Sequence, residues 1–276
     1  MRQRVITSTI FALLMLGGVF GGKYTFFALF GVVAVGCLWE LSGLLFEQSN
    51  FYIFRRVMAV LMGLVPYAFA GWSIVCGGYL HPDMFWRSVA LELLMFFGLM
   101  IAELFFKADK PFDQLGHYAV GALYIGIPFT LLADMAMWTG SFSPLRVFGL
   151  LWLVWTSDVA AFVFGTNFGK HKLFERISPN KTWEGFFGAL GFAMLMGWLC
   201  GWVVPDFTTT QWMMLGINAA VFGTLGDLVE SMLKRSVAVK DSGDMFPGHG
   251  GFLDRFDAFL FSLPFAWAFL MVLRWS

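Results

Sequence analysis

The 276-residue chain contains 59% hydrophobic and 19% aromatic residues but only 13% charged ones, and its mean hydropathy is +0.74. These values exclude an ordinary soluble globular protein and indicate a membrane protein. The 18 basic and 18 acidic residues cancel, so no net charge attracts nucleic acid and we expect no nucleic-acid partner.

Apolar stretches of about 20 residues, the length that a helix needs to cross a bilayer, recur along the whole chain. They predict an all-α, polytopic helical bundle with about nine transmembrane helices in one membrane-embedded domain, residues 1–276. Eight or ten helices stay open as alternatives, because the first stretch is short and a charge interrupts the sixth. The first stretch follows basic residues as a secretory signal does, but it lacks a small-x-small cleavage site, so we expect a retained helix. The predicted spans are Val5–Phe20, Thr25–Phe46, Val57–Tyr79, Trp86–Phe106, His117–Trp138, Pro144–Phe164, Trp183–Pro205, Trp212–Glu230 and Ala258–Leu273.

The basic residues of the loops predict the orientation, because Lys and Arg are retained on the cytoplasmic side. With a cytoplasmic N-terminus, the longest polar loops, Thr166–Thr182 and Ser231–Asp257, both face the cytoplasm, where nucleotides are found. We therefore predict a multi-pass protein of the inner (cytoplasmic) membrane with a cytoplasmic site. In this orientation only four of the 18 basic residues lie on the opposite side: Lys23, Arg87, Arg146 and Arg274.

Charge is concentrated in the segment Asp227–Asp257. A charge run alone favours a solvated loop. Here, however, the incoming helix places Asp227, Glu230 and Lys234 on one face, and a carboxylate at the end of a membrane span is costly unless it is paired or metal-bound. The acids of the segment are Asp227, Glu230, Asp241, Asp244, Asp254 and Asp257, and its bases are Lys234, Arg235, Lys240 and Arg255.

A glycine-rich turn, Pro247–Gly251, follows these charges and predicts backbone N–H groups close to a ligand. Asp254 and Asp257 then share a face at the start of the last helix. Phosphoryl or nucleotidyl transfer needs carboxylates that hold Mg²⁺, cations that neutralise phosphates, and glycines that allow close approach of the backbone. This segment contains all three kinds of residue. A lipid-ester hydrolase is disfavoured because no GxSxG sequence accompanies Ser231 and His249.

Further polar residues lie upstream. Asp158 lies in an apolar helix, which favours a site role over a structural pair. Ser178–Thr182 precedes the seventh span, so Lys181 could bind a triphosphate and Asn180 a nucleotide, or Thr182 could cap the helix. Glu40, Glu92, Glu103 and Asp134 are weaker candidates for a site, and for each we favour interfacial or structural pairing. We expect Gly185, Gly188 and Gly191 to be helix-packing positions.

The segment Ser231–Asp257 resembles the signature of the CDP-diacylglycerol synthase (phosphatidate cytidylyltransferase) family. The resemblance extends upstream to Asp158 and residues 168–185, although this chain has Phe162 where the family often has Tyr. Residues 1–150 resemble the family in helical character more than in motif, so we assign the catalytic half to 151–276. The matching signature positions are Ser231, Lys234, Arg235, Lys240, Asp241, Pro247, His249, Gly250, Gly251, Asp254, Arg255 and Asp257.

The resemblance implies that CTP and phosphatidic acid react to give CDP-diacylglycerol and pyrophosphate for phospholipid synthesis. It also implies a homodimer and a Mg²⁺ site with Asp227 and Asp254 as ligands, with a second metal ion possible. The implied catalytic residues are Asp227, Lys234, Arg235, Lys240, Asp241, His249, Asp254, Arg255 and Asp257. The implied substrate-binding residues are Asp158, Ser178, Asn180, Lys181, Glu184, Glu230, Ser231, Gly250 and Gly251.

Other interpretations stay open at this point. His249 is a phosphate donor or turn-shaping residue rather than a general base in our interpretation, because a phosphate monoester is already largely ionised at neutral pH. A CTP-dependent polyprenol or phytol kinase would also combine many spans with a cytidine nucleotide site. A transporter could use Asp158 and Glu103 as relay groups, but it leaves the charged segment unexplained.

Overall fold

We analysed a computed structural model that describes residues 2–46, 51–77, 81–106, 109–243, 245 and 250–275, without the side chains of 2–8, 82 and 275. His249 therefore lies outside the described residues. The described helices are α1 (Arg2–Phe20), α2 (Lys23–Phe46), α3 (Tyr52–Gly77), α4 (Pro82–Phe106), α5 (Pro111–Gly121), a π-helical segment (Ala122–Gly126), α6 (Ile127–Ala136), α7 (Pro144–Phe168), α8 (Trp183–Val203), α9 (Thr209–Ser236) and α10 (Leu253–Trp275). The strands are β1 (Lys172–Phe174) and β2 (Ser178–Thr182).

Eight helical stretches in the described part of the chain are long and apolar enough to cross a membrane, with Pro111–Ala136 counted as one stretch. Thr9–Phe20 is a shorter apolar stretch. The all-α, polytopic membrane architecture predicted from the sequence is thus confirmed. The count of about nine spans and the cytoplasmic N-terminus stay predictions.

Several helices extend beyond their predicted apolar spans, because capping and polar side chains prolong a helix that hydropathy alone does not detect. α9 begins at Thr209, where Thr208 and Gln211 form a capping box, and it continues past Glu230 to Ser236. α10 begins at Leu253, five residues before the predicted start. The charged residues at the end of α9 and at the start of α10 therefore lie on helix, as the sequence predicted for Asp227, Glu230, Lys234, Asp254 and Asp257.

One part of the predicted loop Thr166–Thr182 is an antiparallel hairpin. Lys172 pairs with Thr182 and Phe174 with Ser178, with an irregular register between them. The sequence of β2 contains Pro179, which cannot donate to a ladder and which favours extended backbone before it. The hairpin connects directly to α8 at Trp183.

The described chain divides into two compact units. The first comprises the described residues of Met1–Phe142 together with Asp241–Asp254. Its core includes Phe46, Met62, Leu99, Leu115 and Tyr118. Inside it, the guanidinium of Arg55 donates to both carboxylate oxygens of Glu103, which confirms the structural pairing expected of Glu103.

The second unit comprises Ser143–Lys240 and Arg255–Ser276, and in it α8 packs along α7 and α9. The close approach of α7 and α8 depends on two glycines. A Cβ on Gly185 would lie 2.7 Å from the Ala161 carbonyl oxygen, and one on Gly188 would lie 2.3 Å from Phe164. These two predicted packing positions are confirmed.

The expectation for Gly191 is wrong for the described part of the chain, because a Cβ there would meet none of its atoms within 4 Å. The reason is helical geometry. At 3.6 residues per turn, Gly191 lies about 120° around the helix from Gly185. The regular spacing of the three glycines therefore does not place them on one contact face.

Candidate active site

A cavity of about 300 Å³ lies in the second unit. Residues of α7, of both strands, of α8 and of α9 line it, so it brings together parts of the chain that are separated by up to 69 positions, between Asp158 and Asp227. The lining residues are Asp158, Ala161, Phe162, Leu173, Ser178, Asn180, Lys181, Thr182, Gly185, Phe186, Thr224 and Asp227. Five of the residues that the sequence assigned to a site therefore share one cavity: Asp158, Ser178, Asn180, Lys181 and Asp227.

An ion pair between Lys181 and Asp227 is the main charged feature of this cavity. Lys181 Nζ lies 2.6 Å from Asp227 Oδ2 and donates to the Thr224 carbonyl oxygen at 3.1 Å. An ammonium group has three N–H donors, so a third can reach a ligand. The side chains of Lys181 and Asp227 are 24% and 30% exposed. The pair is thus ordered by contacts within the chain and still accessible to a solute.

The hairpin that carries Lys181 is anchored at the start of α8. Thr182 caps this helix by accepting a hydrogen bond from Gly185 N at 3.2 Å. Glu184, in the first turn, accepts from Lys170 N at 3.1 Å and pairs with His171 Nδ1 at 2.6 Å. The capping role that the sequence offered for Thr182 is thus confirmed, while triphosphate binding by Lys181 and nucleotide binding by Asn180 stay predictions.

The acidic side chains of the second unit extend along α9 and into α10. Asp158 and Asp227 both line the cavity, and Asp257 is an electrostatic neighbour of Asp227 and of Glu230. Glu230 is buried and pairs with Lys234 at 2.5 Å. Helical spacing of three and four residues accounts for Asp227, Glu230 and Lys234 on α9, whereas Asp158 lies on α7 and Asp257 on α10.

A second polar cluster lies in the first unit around Asp254. Its Oδ2 atom accepts hydrogen bonds from Ser242 N at 2.9 Å, from Ser242 Oγ at 2.9 Å and from Gly251 N at 2.8 Å. Gly250 has a φ of +77°, which favours glycine. The sequence predicted that N–H groups of this glycine-rich segment contact a phosphate. The Gly251 N–H instead donates to Asp254, and the phosphate contact stays a prediction.

Sequence reasoning missed the contribution of Glu40 to this cluster. Glu40 Oε1 accepts from Phe252 N at 2.9 Å, and Oε2 accepts from Leu253 N at 3.0 Å. Glu40 Oε2 also lies 2.9 Å from Ser242 Oγ, whose single hydroxyl hydrogen is shared between this oxygen and Asp254 Oδ2. A lone Glu in an apolar helix gives no signal for partners more than 200 positions away. The sequence offered only the expectation of a structural pair.

The remaining residues of the motif lie at the surface or are partly covered. Arg235 donates to the Val239 carbonyl oxygen at 3.3 Å. Ser231 is half-buried. Lys240, Asp241 and Arg255 are exposed. Catalytic roles for these residues and for His249 stay predictions.

The side chains at the cavity fit a magnesium ion in their chemistry. Mg²⁺ prefers oxygen ligands and is usually held by one or two carboxylates together with water and substrate phosphates. Asp227 and Asp158 supply two carboxylates to the cavity. Among the described residues no group of three or more His, Cys, Asp or Glu side chains is arranged to hold a metal ion. Shared ligation by Asp227 and Asp254 stays a prediction.

Comparison with known proteins identifies the family. Residues 2–273 match the profile described as "Cytidylyltransferase family". The chain is 32% identical over 277 residues to a phosphatidate cytidylyltransferase of Bacillus subtilis, covering 99% of this chain and 98% of the relative. It is 53% identical over 114 residues to the enzyme of that name from Staphylococcus aureus, covering 41% of this chain and 44% of the relative. The chain belongs to the cytidylyltransferase family.

Proposed function

We propose that this protein transfers the cytidylyl group of CTP to phosphatidic acid, giving CDP-diacylglycerol and pyrophosphate. The observation that carries the proposal is the accessible Lys181–Asp227 ion pair in a cavity of about 300 Å³, in a chain of the cytidylyltransferase family. The full-length relative from Bacillus subtilis is named for cytidylyl transfer to phosphatidate.

The reaction is an in-line displacement at phosphorus. An oxygen of the phosphatidic acid phosphate forms a bond to the α-phosphorus of CTP. The bond from that phosphorus to the oxygen that bridges to the β-phosphate breaks, and its electron pair leaves with pyrophosphate. A phosphate monoester has a second pKa of about 6, so the nucleophile is largely ionised at neutral pH and needs no strong general base.

The chain supplies cations for the phosphates. Lys181 has a donor left after its contacts with Asp227 and Thr224, and this donor can bind the triphosphate. The bases of the motif, Lys234, Arg235, Lys240 and Arg255, offset the charge of the triphosphate and of the departing pyrophosphate. Such preorganised cations stabilise developing charge more than mobile water does.

Mg²⁺, when bound, neutralises phosphate charge and orients the reacting oxygens. Asp227 would hold it together with Asp158 or Asp254. Ser178 and Asn180, which also line the cavity, can orient the nucleotide. Phe162 and Phe186 provide apolar surface beside these polar groups.

We also propose the setting of this reaction. The site faces the cytoplasm, from which CTP arrives, and the protein resides in the inner membrane, where the lipid substrate is dissolved. The excess of Lys and Arg in the predicted cytoplasmic loops supports this orientation. A homodimer is part of the proposal through the family resemblance.

The test follows the fate of two labels. The purified full-length protein, in detergent with phosphatidic acid and Mg²⁺, receives CTP labelled either in cytidine or in the γ-phosphate. We expect the cytidine label to enter the lipid in step with pyrophosphate release. Entry of the γ-phosphate label instead would identify a lipid kinase, and absence of both labels from the lipid would reject transfer chemistry.

A further inference from the structure

The acidic side chain of Glu40 is bonded to the segment that carries Asp254 through both of its oxygens. Oε1 accepts from Phe252 N at 2.9 Å, and Oε2 accepts from Leu253 N at 3.0 Å. Leu253 is the first residue of α10. The N–H groups of a first helical turn have no partner within the helix. A Ser, Thr, Asp or Asn side chain next to the helix start usually accepts hydrogen bonds from them. Here a carboxylate from α2 takes this role, and its negative charge suits a helix N-terminus.

The backbone around this carboxylate is shaped to receive it. A Cβ on Gly251 would lie 2.1 Å from Glu40 Oε2, and one on Gly243 would lie 2.7 Å from Glu40 Oε1. One turn earlier on α2, a Cβ on Gly36 would lie 2.5 Å from the Phe252 ring. Gly36 and Glu40 therefore form one contact surface on α2 for residues 251–253.

The contact reaches Asp254 through a single hydroxyl group. Ser242 Oγ lies 2.9 Å from Glu40 Oε2 and 2.9 Å from Asp254 Oδ2. Ser242 is buried, and its N–H donates to the same oxygen of Asp254. Ser242 thus connects the Glu40 carboxylate to the Asp254 carboxylate.

We infer that Glu40 is a positioning residue for cytidylyl transfer: it fixes Ser242 and residues 251–253 so that the Asp254 carboxylate is held in its working orientation. This inference rests on the proposed function for its catalytic consequence. It assigns to α2, in the half of the chain that carries no recognisable motif, a direct connection to the signature segment. Groups that orient a ligand in this way commonly change affinity or activity 10- to 100-fold when replaced.

Glu40→Gln is the informative substitution. An amide of the same size places an NH₂ group where one carboxylate oxygen accepts an N–H, so either the Phe252 N–H or the Leu253 N–H loses its acceptor. The loss loosens the shared contact of residues 251–253 with Glu40. Glu92→Gln is the matched control, because Glu92 lies in α4 of the same unit, is half-buried, and has a carboxylate oxygen with no hydrogen-bond partner among the described residues. Thermal unfolding in detergent compares the stability of both variants with that of the wild type.

Two measurements then test the inference independently. In hydrogen–deuterium exchange, the amides of Phe252 and Leu253 exchange faster in Glu40→Gln than in the wild type or in Glu92→Gln. This readout is independent of the reaction catalysed. In steady-state kinetics, kcat falls by about 10- to 100-fold and the Mg²⁺ concentration for half-maximal activity rises, while the KM for CTP at saturating Mg²⁺ changes less.

Each outcome decides the matter. Unchanged exchange in Glu40→Gln would overturn the contact itself. Faster exchange with an unchanged kcat and an unchanged Mg²⁺ requirement would overturn the positioning role while leaving the contact in place. If the wild type failed to transfer cytidylyl groups at all, the proposed function would fail, whatever the exchange data showed. A Ser242→Ala and Glu40→Gln double variant with less-than-additive losses would further support transmission through Ser242.

Discussion

Two ion pairs of this protein differ in what surrounds them. Arg55 and Glu103, in the first unit, have side chains that are 0% and 3% exposed and satisfy each other with two hydrogen bonds. Lys181 and Asp227, in the second unit, line a cavity and are 24% and 30% exposed. A planar, two-pronged guanidinium suits a closed structural contact, whereas a flexible ammonium can release one partner and bind another. The accessibility of an ion pair to a solute, rather than the burial of its charges, therefore distinguishes a pair in a binding site from a purely structural pair.

The largest effect on activity is expected at Asp227. Asp227→Asn keeps the size of the side chain but removes the charge that pairs with Lys181 and that would hold Mg²⁺. We expect kcat to fall by about 100-fold or more, as for other groups that stabilise charge directly, with little change in the melting temperature. Label transfer and thermal unfolding measured on the same preparation test this, and near wild-type turnover would remove Asp227 from the site.

At Glu103 we expect the opposite: a loss of stability with little change in CTP binding. Glu103→Gln leaves the buried guanidinium of Arg55 without its counter-charge, which costs about 3–5 kcal/mol for a buried pair. The yield of folded protein and its melting temperature should fall, while the KM for CTP of the folded fraction stays near that of the wild type. Glu92→Gln, on the same helix, is the control. A raised KM for CTP with unchanged stability would mean that the two ion pairs do not differ as described.

The smallest effects are expected from the glycines of α8. Gly188→Ala introduces a methyl group 2.3 Å from Phe164, and overpacking of this kind costs about 1–3 kcal/mol. Gly191→Ala meets open space and should be neutral or stabilise by up to about 1 kcal/mol through helix propensity. Equal melting temperatures for the two variants would contradict the close approach of α7 and α8.

The sequence predicted those features that depend on local pattern. Long apolar runs identified the membrane helices, and in-register motif residues identified Asp158, Lys181 and Asp227 before the fold placed them at one cavity. The β-hairpin was missed because strands of three and five residues leave too short a pattern. Glu40 was missed because its contacts with Ser242 and with residues 252–253 join positions 202 to 213 apart, a separation at which no local pattern operates.

The role of the accessible ion pair in nucleotide binding can be measured directly as the affinity of the solubilised protein for labelled CTP in the absence of lipid. Lys181→Met keeps the aliphatic stem and removes the charge, and Lys172→Met, at an exposed position of the same hairpin, is the matched control. We predict that Lys181→Met weakens CTP binding by about tenfold or more, the loss of one charge-assisted hydrogen bond of about 1.5–3 kcal/mol, and that Lys172→Met binds CTP as the wild type does. Equal affinity in Lys181→Met and the wild type would show that the cavity is not the nucleotide site.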